Sequence, residues 1–312
     1  MADVTKIEWT DATWNVINGC SLASPGCTNC YAMRLAATRL KHHPSRAGLA
    51  KIVNGNPVWT GETRFNEAVL QDPLRWRRPR RIFVCAHGDL FHESVPDEWI
   101  DRVFAVMALA PQHQFQVLTK RPERMRRYLT DQGVRDEICS RALAMPASEG
   151  FCRSWPLPNV WLGVSVEDQR RAEERIPDLL LTPAAIRWIS AEPLLGPVDL
   201  TRISTFRFRG AEVLNALTGE LSGMFGDYCA TRLRLDWVVA GGESGPGARP
   251  MPYGAAQSLR DQCAGAGVAF LFKQHGNWLH VEGGEGGREL HWMDKTRAGR
   301  ELDGALHDEF PA

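Results

Sequence analysis

The chain has 312 residues, 44% of them hydrophobic, which is enough to bury a large core in one α/β domain or in two smaller ones. Its 37 basic and 37 acidic residues cancel, so no global field attracts it to nucleic acid or to an anionic membrane. No stretch approaches the roughly 18 apolar residues of a membrane span, and the opening segment lacks the apolar core of a secretion signal. A cytoplasmic protein without membrane contact is therefore expected.

Seven short apolar runs recur along the chain, and a turn and a helical pattern follow each one. They are NVINGC (15–20), RIFVCAHGD (81–89), QFQVLTKRP (114–122), NVWLGVSVED (159–168), IRWISAEPL (186–194), LDWVVAGGES (235–244) and VAFLFKQHG (268–276). Helices are predicted over 96–111 and 166–180. Unbroken apolar runs that alternate with helices indicate parallel strands covered on both faces. The sequence therefore predicts an α/β fold, either a barrel or an open doubly wound sheet.

Polar residues recur where these predicted strands end. They are Asp89; Thr119, Lys120 and Arg121; Ser165 and Glu167; Glu192; Glu243; and Lys273 with Gln274. Ligands of parallel α/β folds sit at the carboxyl ends of the strands. Each residue alone would be an ordinary turn or cap residue. Because polar residues follow six predicted strands at the same position, the carboxyl end, a charged binding cavity at one end of a barrel is favoured.

Three segments do not follow the alternation of predicted strands and helices. Residues 38–80 and 201–234 are interpreted as insertions in a barrel that covers residues 1–280. The Gly-rich, charged tail over 281–312 is expected to pack on the outside of the barrel with little regular structure.

The eight cysteines divide into scattered and clustered sets. Cys85, Cys139, Cys152, Cys229 and Cys263 are scattered singly and are expected to be small buried hydrophobic residues. Cys20, Cys27 and Cys30 lie within eleven positions, directly before a predicted helix. A disulfide framework is not expected in a chain of this size and compartment, so the cluster indicates a metal site.

The number of ligands separates the candidate metals. A structural zinc ion normally takes four ligands, whereas an iron–sulfur cubane held by three cysteines leaves one iron open to an outside ligand. Three thiols with no fourth nearby favour the cluster. Zinc remains an alternative, with His42 or His43 as a further ligand.

Several motifs in order resemble one family. They are IEWTDATWNVINGCSLASPGCTNCYAMRLA, GDLFHESVPDEWIDRVF, FQVLTKRPERM, WLGVSVEDQ, ISAEPLLGPVDL, WVVAGGESGPGARPM and FLFKQHGNW. Together they resemble the three-Cys-motif phage protein family, a group without settled function that is similar to radical S-adenosylmethionine enzymes. Those enzymes usually space their cysteines C-x3-C-x2-C, whereas this chain has C-x6-C-x2-C.

The resemblance implies a partial or complete TIM-like barrel of the radical S-adenosylmethionine type, in which Cys20, Cys27 and Cys30 hold a [4Fe–4S] cluster. S-adenosylmethionine would complete the coordination of the iron that no cysteine binds. An electron donor such as a flavodoxin or ferredoxin would reduce the cluster. The residues expected to bind the cosubstrate are Asp89, Thr119, Lys120, Arg121, Ser165, Glu167, Gly241 and Gly242. Glu192, Glu243 and Lys273 are then expected to face the substrate.

A basic segment, RWRRPRR (75–81), places five arginines and one tryptophan in seven residues. Guanidinium groups bind phosphate and an indole stacks on bases, so Arg75–Arg81 is a candidate contact with nucleic acid or a nucleotide. A solvated face that leads into the next strand explains the segment equally well. By analogy with phage relatives, a nucleobase or nucleotide is the expected substrate class.

Two further functions stay open. One is a zinc-containing nucleic-acid-binding module without redox chemistry. The other is a non-radical barrel enzyme that uses Glu192 and Glu243 as an acid/base pair.

Overall fold

The computed structural model describes residues 5–145, 154–208, 211–223, 228–229, 233–282 and 287–312. Cys152 and the side chain of Cys229 lie outside this description. The chain divides into two compact units, residues 1–163 with 182–186, and residues 164–181 with 187–312.

Seven parallel strands form one sheet in which neighbours follow chain order. They are β1 (Ala12–Trp14), β2 (Arg81–Val84), β3 (Gln114–Thr119), β4 (Val160–Ser165), β5 (Ile186–Ala191), β6 (Trp237–Gly241) and β7 (Ala269–Gln274). All residues of β4 and β6 are buried, as expected for parallel strands that have no solvent face. The predicted α/β fold with a parallel sheet is confirmed.

The first strand lies elsewhere than predicted. The sequence indicated 15–20, but β1 ends at Trp14, and Ile17–Asn18 pairs antiparallel with Arg64–Phe65 outside the main sheet. Trp14 is fully buried and its register partner on β2 is Val84. The apolar run at 15–20 thus belongs to a second, short pairing that carries the chain away from β1 toward the cysteines.

The described residues of the first unit contain five α-helices. They are α1 (Tyr31–Ala37), α2 (Asp72–Arg75), α3 (Asp97–Leu109), α4 (Pro122–Thr130) and α5 (Val134–Leu143). Helix α3 begins after Pro96 with two acidic residues in its first turn, where the helix dipole favours negative charge. It confirms the helix predicted over 96–111.

Where the second unit is described, its helices are α6 (Gln169–Leu180), α7 (Ala255–Ala266) and α8 (Lys295–Ala298). The Asp168 carboxylate accepts a hydrogen bond from Arg171 N–H at 2.9 Å and so caps α6. Residues 201–234 contain a four-stranded antiparallel sheet made of Ile203–Ser204, Ala211–Leu214, Glu220–Gly223 and Tyr228–Cys229. This segment therefore has secondary structure of its own.

The tail is more regular than the sequence indicated. Trp278–Glu282 pairs with Arg288–Trp292 as a hairpin, and α8 follows. Further on, Phe272 N–H donates to the His307 carbonyl at 2.9 Å and Glu309 N–H donates to the Phe270 carbonyl at 3.2 Å. The last residues of the chain thus pair with the edge strand β7. In the described part of the chain, no helix is long and apolar enough to cross a bilayer.

Candidate functional site

The three clustered cysteines lie on a loop whose ends are fixed by backbone contacts. Gly19 N–H donates to the His87 carbonyl at 3.1 Å, which ties the start of the loop to the segment after β2. Cys27 closes the 3-10 turn Pro25–Cys27, and Cys30 immediately precedes α1. Strand, turn and helix therefore set the position of each thiol.

The thiols gather in one place. Cys20 and Cys30 both pack against a single hydrophobic cluster formed by Ala32, Met33, Ala36, Leu49 and Trp59. Cys27 is close enough to raise the thiol pKa of both. Burial is the larger cause: it raises the pKa of Cys20 to about 12 and also raises the pKa of Cys30. In the absence of a metal these two thiols are protonated at neutral pH.

Arg121 clamps this cysteine loop, and all five of its N–H groups are used within the protein. Nε donates to Glu93 at 3.2 Å, and one terminal nitrogen donates to the Cys20 sulfur at 3.4 Å and to Asp89 at 3.2 Å. The other terminal nitrogen donates to the carbonyl of Ser21 at 3.1 Å and to its hydroxyl at 2.8 Å. The guanidinium that was expected to bind the cosubstrate instead holds Cys20 and Ser21.

Asp89 is the counterpart of Arg121 and is buried with it. Besides Arg121, its carboxylate accepts hydrogen bonds from Thr119 Oγ1 at 2.7 Å, Lys120 N–H at 3.1 Å and Phe91 N–H at 3.0 Å. One carboxylate therefore joins the loop after β2 to the end of β3. Burial raises the pKa of the Cys30 thiol, and the charge of the nearby Lys120 side chain partly opposes that rise.

His92 is a member of the site that the sequence did not indicate. Ser94 N–H donates to His92 Nδ1 at 3.2 Å, so the proton lies on Nε2, which donates to Ser21 Oγ at 2.8 Å. Desolvation lowers the pKa of His92 and Arg121 lowers it further. Ser21 is thus held from two sides, next to Cys20.

Of the two histidines proposed as zinc ligands, His43 accepts hydrogen bonds from Ser45 through Nδ1, and His42 is exposed. Within the described ranges, no three His, Cys, Asp or Glu side chains are already arranged to hold a metal ion. The thiols are therefore neighbours on one loop rather than a preformed coordination shell.

In the second unit, Ser165 ends β4, Glu167 follows that strand, and both belong to a buried network. Arg175 donates to the Ser165 carbonyl at 2.7 Å and to the Glu167 carboxylate at 3.0 Å. Glu167 is fully buried, and a buried carboxylate requires such a partner. These two residues, expected to bind a cosubstrate, are bound by a cation on α6.

Glu243 and Glu192 differ in how much solvent they reach. Glu243 is buried and accepts from Arg249 Nε at 2.9 Å, from the terminal nitrogen at 2.6 Å and from its backbone N–H at 2.8 Å. Glu192 is partly exposed and pairs with Lys273, whose Nζ lies 2.7 and 2.9 Å from the two carboxylate oxygens. Gln274 donates to the same carboxylate at 3.3 Å. The structure thus joins Glu192 with Lys273 at the ends of β5 and β7.

Gly241 and Gly242 allow the backbones after β6 and β7 to approach each other. A Cβ on Gly242 would lie 1.9 Å from the His275 carbonyl oxygen, and one on Gly241 would lie 3.4 Å from Lys273 Cβ. Gly242 N–H donates to the Gln274 carbonyl at 2.9 Å. The space that was expected to admit a nucleotide at Gly242 is filled by the chain itself.

The basic segment is only partly a solvated face. Arg80 lies over the Trp76 ring at 4.9 Å, and Trp76 contacts the ring of buried His113. Arg81 pairs with Asp11 at 3.1 Å, while Arg77 and Arg78 are exposed. The tryptophan that was a candidate for stacking on a base packs against an arginine and a histidine of its own unit.

A comparison with family models decides the affiliation. The chain belongs to the family described as "Protein of unknown function (DUF5131)", whose model matches residues 4–311. No curated protein and no solved structure matches the chain. For this DUF5131 member, membership in a family of unknown function is confirmed, and the resemblance to three-Cys-motif phage proteins and to radical S-adenosylmethionine enzymes stays a prediction.

The sequence of this DUF5131 chain indicates the acids at the strand ends but not the cations that pair with them. Arg175 and Arg249 follow Glu167 and Glu243 by eight and six residues. A cation could have been predicted on physical grounds, because an acid at the end of a fully buried strand needs a cation within reach. The sequence alone does not show which of several downstream arginines pairs with each acid, because the path of the loop determines which guanidinium lies within reach of the carboxylate.

Proposed function

We propose that this protein is a radical S-adenosylmethionine enzyme in which Cys20, Cys27 and Cys30 hold a [4Fe–4S] cluster. The observation that carries the proposal is the convergence of the three thiols. Cys20 and Cys30 rest on one hydrophobic cluster with Cys27 close to both, and a buried guanidinium donates to the Cys20 sulfur.

The donor set fits such a group. Three thiolates hold a cubane with one open iron, and hydrogen bonds to the sulfurs adjust its reduction potential. Bound together with S-adenosylmethionine and reduced by an external electron donor such as a flavodoxin or ferredoxin, the cluster would supply reductive cleavage of the sulfonium to methionine and a 5′-deoxyadenosyl radical that abstracts hydrogen from the substrate. This chain supplies the positioning: Arg121 and His92 hold Ser21 beside the first cysteine, and Asp89 holds Arg121.

The contacts divide the proposed cosubstrate residues into two groups. Asp89, Thr119 and Arg121 act as positioning residues, since their polar atoms bind one another and the cysteine loop. The Lys120 side chain lies near a second proposed ligand, Cys30, and we assign this cation to the carboxylate of the cosubstrate.

In the second unit, Glu192 and Lys273 are the pair we assign to the substrate. Both are partly exposed at strand ends. Glu243 receives three hydrogen bonds from Arg249, so its role is to fix the loop after β6. This arrangement supports neither a free Glu243 carboxylate nor an acid/base pair with Glu192.

The test is anaerobic purification and reconstitution with iron and sulfide, followed by iron, sulfide and zinc analysis and electron paramagnetic resonance. We expect a brown protein with about four irons, as a cubane requires. Dithionite and S-adenosylmethionine should then release 5′-deoxyadenosine. Cys20→Ala, Cys27→Ala and Cys30→Ala should each abolish the cluster, whereas Cys263→Ala, a buried cysteine in the second unit, should retain it.

The alternatives give different results in the same experiment. Stoichiometric zinc in a colourless protein, lost in the three variants, would identify the zinc-containing module and overturn the proposal. A metal-free protein after reconstitution would also overturn it.

A further inference from the structure

Arg46 is a buried guanidinium that no carboxylate neutralises. It is 6% exposed, and in the described part of the chain it takes part in no ion pair. Its hydrogen-bond acceptors are all neutral: His87 Nδ1 at 3.0 and 3.2 Å, Ser45 Oγ at 2.7 Å and the Ser45 carbonyl at 3.4 Å. Burying a charge without a counterion is costly, so this residue calls for an explanation.

The groups near enough to act as anions carry their protons. Burial raises the pKa of the nearby Cys85 thiol to about 12, and the Tyr31 hydroxyl donates to the Ala86 carbonyl at 2.5 Å. Burial also lowers the pKa of Arg46 to about 10, which leaves it charged at neutral pH. The positive charge therefore persists without a partner in the protein.

The surroundings of Arg46 contain a second donor and an aromatic ring. Because His87 accepts from Arg46 through Nδ1, its proton lies on Nε2, which has no hydrogen-bond partner among the described residues. The Tyr31 ring meets the imidazole edge-on, with ring centroids 5.9 Å apart, and Tyr31 is 52% exposed. A cation, an N–H donor and an accessible ring are thus adjacent.

We propose that Arg46, His87 and Tyr31 form a binding site for the phosphate and base of a nucleotide. The guanidinium supplies the charge for the phosphate, His87 Nε2 supplies a second donor, and Tyr31 supplies a stacking surface. A phosphate is favoured over a carboxylate, because it carries close to two negative charges at neutral pH opposite a cation that has no counterion in the part of the chain that the structure describes. The site needs no metal cluster and so does not depend on the proposed function.

The test is isothermal titration calorimetry of the full chain at low salt with inorganic phosphate, acetate, adenosine and adenosine 5′-monophosphate. We expect the monophosphate to bind at least about tenfold tighter than adenosine, and phosphate to bind better than acetate. A 5′-phosphorylated single-stranded oligonucleotide distinguishes a strand end from a free nucleotide. Either source supports the site.

Variants separate this site from non-specific charge. Arg46→Met should reduce monophosphate affinity at least about tenfold, while its melting temperature stays equal or rises because an uncompensated charge is removed. Tyr31→Leu should weaken the monophosphate roughly fivefold or more and leave inorganic phosphate unchanged, whereas Tyr31→Phe retains the ring and the affinity. Arg77→Met, in the exposed basic segment, should change neither affinity.

Several results would overturn the proposal. They are unchanged affinity in a folded Arg46→Met protein, equal losses in Arg77→Met, or acetate binding as well as phosphate. If Arg46→Met does not fold, the wild-type melting temperature decides, since a ligand that binds the native state must raise it. No rise at about 10 mM phosphate and at saturating monophosphate would exclude the site. Cys20→Ala should retain nucleotide binding, which keeps this outcome separate from that of the cluster.

Discussion

At the scale of single residues, the cysteine loop depends on one buried ion pair. Asp89 and Arg121 lie 3.2 Å apart and both are nearly inaccessible to solvent. Arg121 is also paired with Glu93, but that side chain is 67% exposed. The same guanidinium thus has one buried and one solvent-exposed partner, so the contributions of the two ion pairs to stability can be compared directly.

Asp89→Asn should lower the free energy of unfolding by about 3–5 kcal/mol, because it removes the buried counterion of the Arg121 charge. Glu93→Gln should change it by less than about 1 kcal/mol, since solvent already screens that pair. Urea unfolding of both variants measures the difference. Equal losses would show that burial does not decide the strength of the two pairs.

At the scale of elements, glycines set how closely the strand ends approach. A Cβ on Gly88 would lie 2.8 Å from the Ile17 carbonyl oxygen, and one on Gly242 would lie 1.9 Å from that of His275. In both cases the obstacle is backbone, which cannot rotate away as a side chain does. The glycines of the HGD and GGES segments therefore serve close packing of the chain on itself.

Gly242→Ala should destabilise the protein by about 1–3 kcal/mol or more, because the loop after β6 must move away from β7. Gly265→Ala is the matched control: this glycine lies within α7, and its Cβ would meet nothing within 4 Å. The control should gain about 0.5–1 kcal/mol from improved helix propensity. Thermal unfolding distinguishes the two, and a stable Gly242→Ala protein would contradict the close approach.

The strands and the candidate site differ in how far they could be predicted from the sequence. Six of the seven sheet strands were predictable because long apolar runs bury both faces. Strand β1 was not, because Ala12–Trp14 has only three residues and polar Asp11 and Thr13 interrupt its pattern. The sequence indicated the three cysteines of the candidate site by their spacing. It did not identify Ser21, His92 or Arg46, whose roles depend on contacts between distant segments.

At the scale of the whole molecule, equal numbers of acids and bases leave recognition to local groups. The acids that the sequence placed at strand ends are largely matched by arginines: Arg121 with Asp89, Arg175 with Glu167 and Arg249 with Glu243. Charge neutrality in this chain thus reflects internal pairing as well as a mixed surface. Arg46 departs from this pattern, which is why it carries a proposal of its own.

The end of the chain protects an edge of the sheet. Strand β7 would present unpaired N–H and C=O groups, and such edges promote aggregation. Residues 307–309 pair with it, the Glu309 carbonyl accepts from Trp237 Nε1 at 2.8 Å, and the Phe310 ring lies 5.1 Å from that of Trp237. The tail thus covers both the edge and a core tryptophan.

Deletion of residues 307–312 should lower the melting temperature and promote aggregation, because the β7 backbone and the Trp237 ring lose these contacts. Deletion of 311–312 alone should leave both properties unchanged, since the β7 pairing and the Phe310 ring remain. Differential scanning calorimetry and size-exclusion chromatography with light scattering measure the two effects. If both deletions behave like the full chain, the tail rests on β7 without stabilising it, and other contacts must keep that edge from pairing with a second chain.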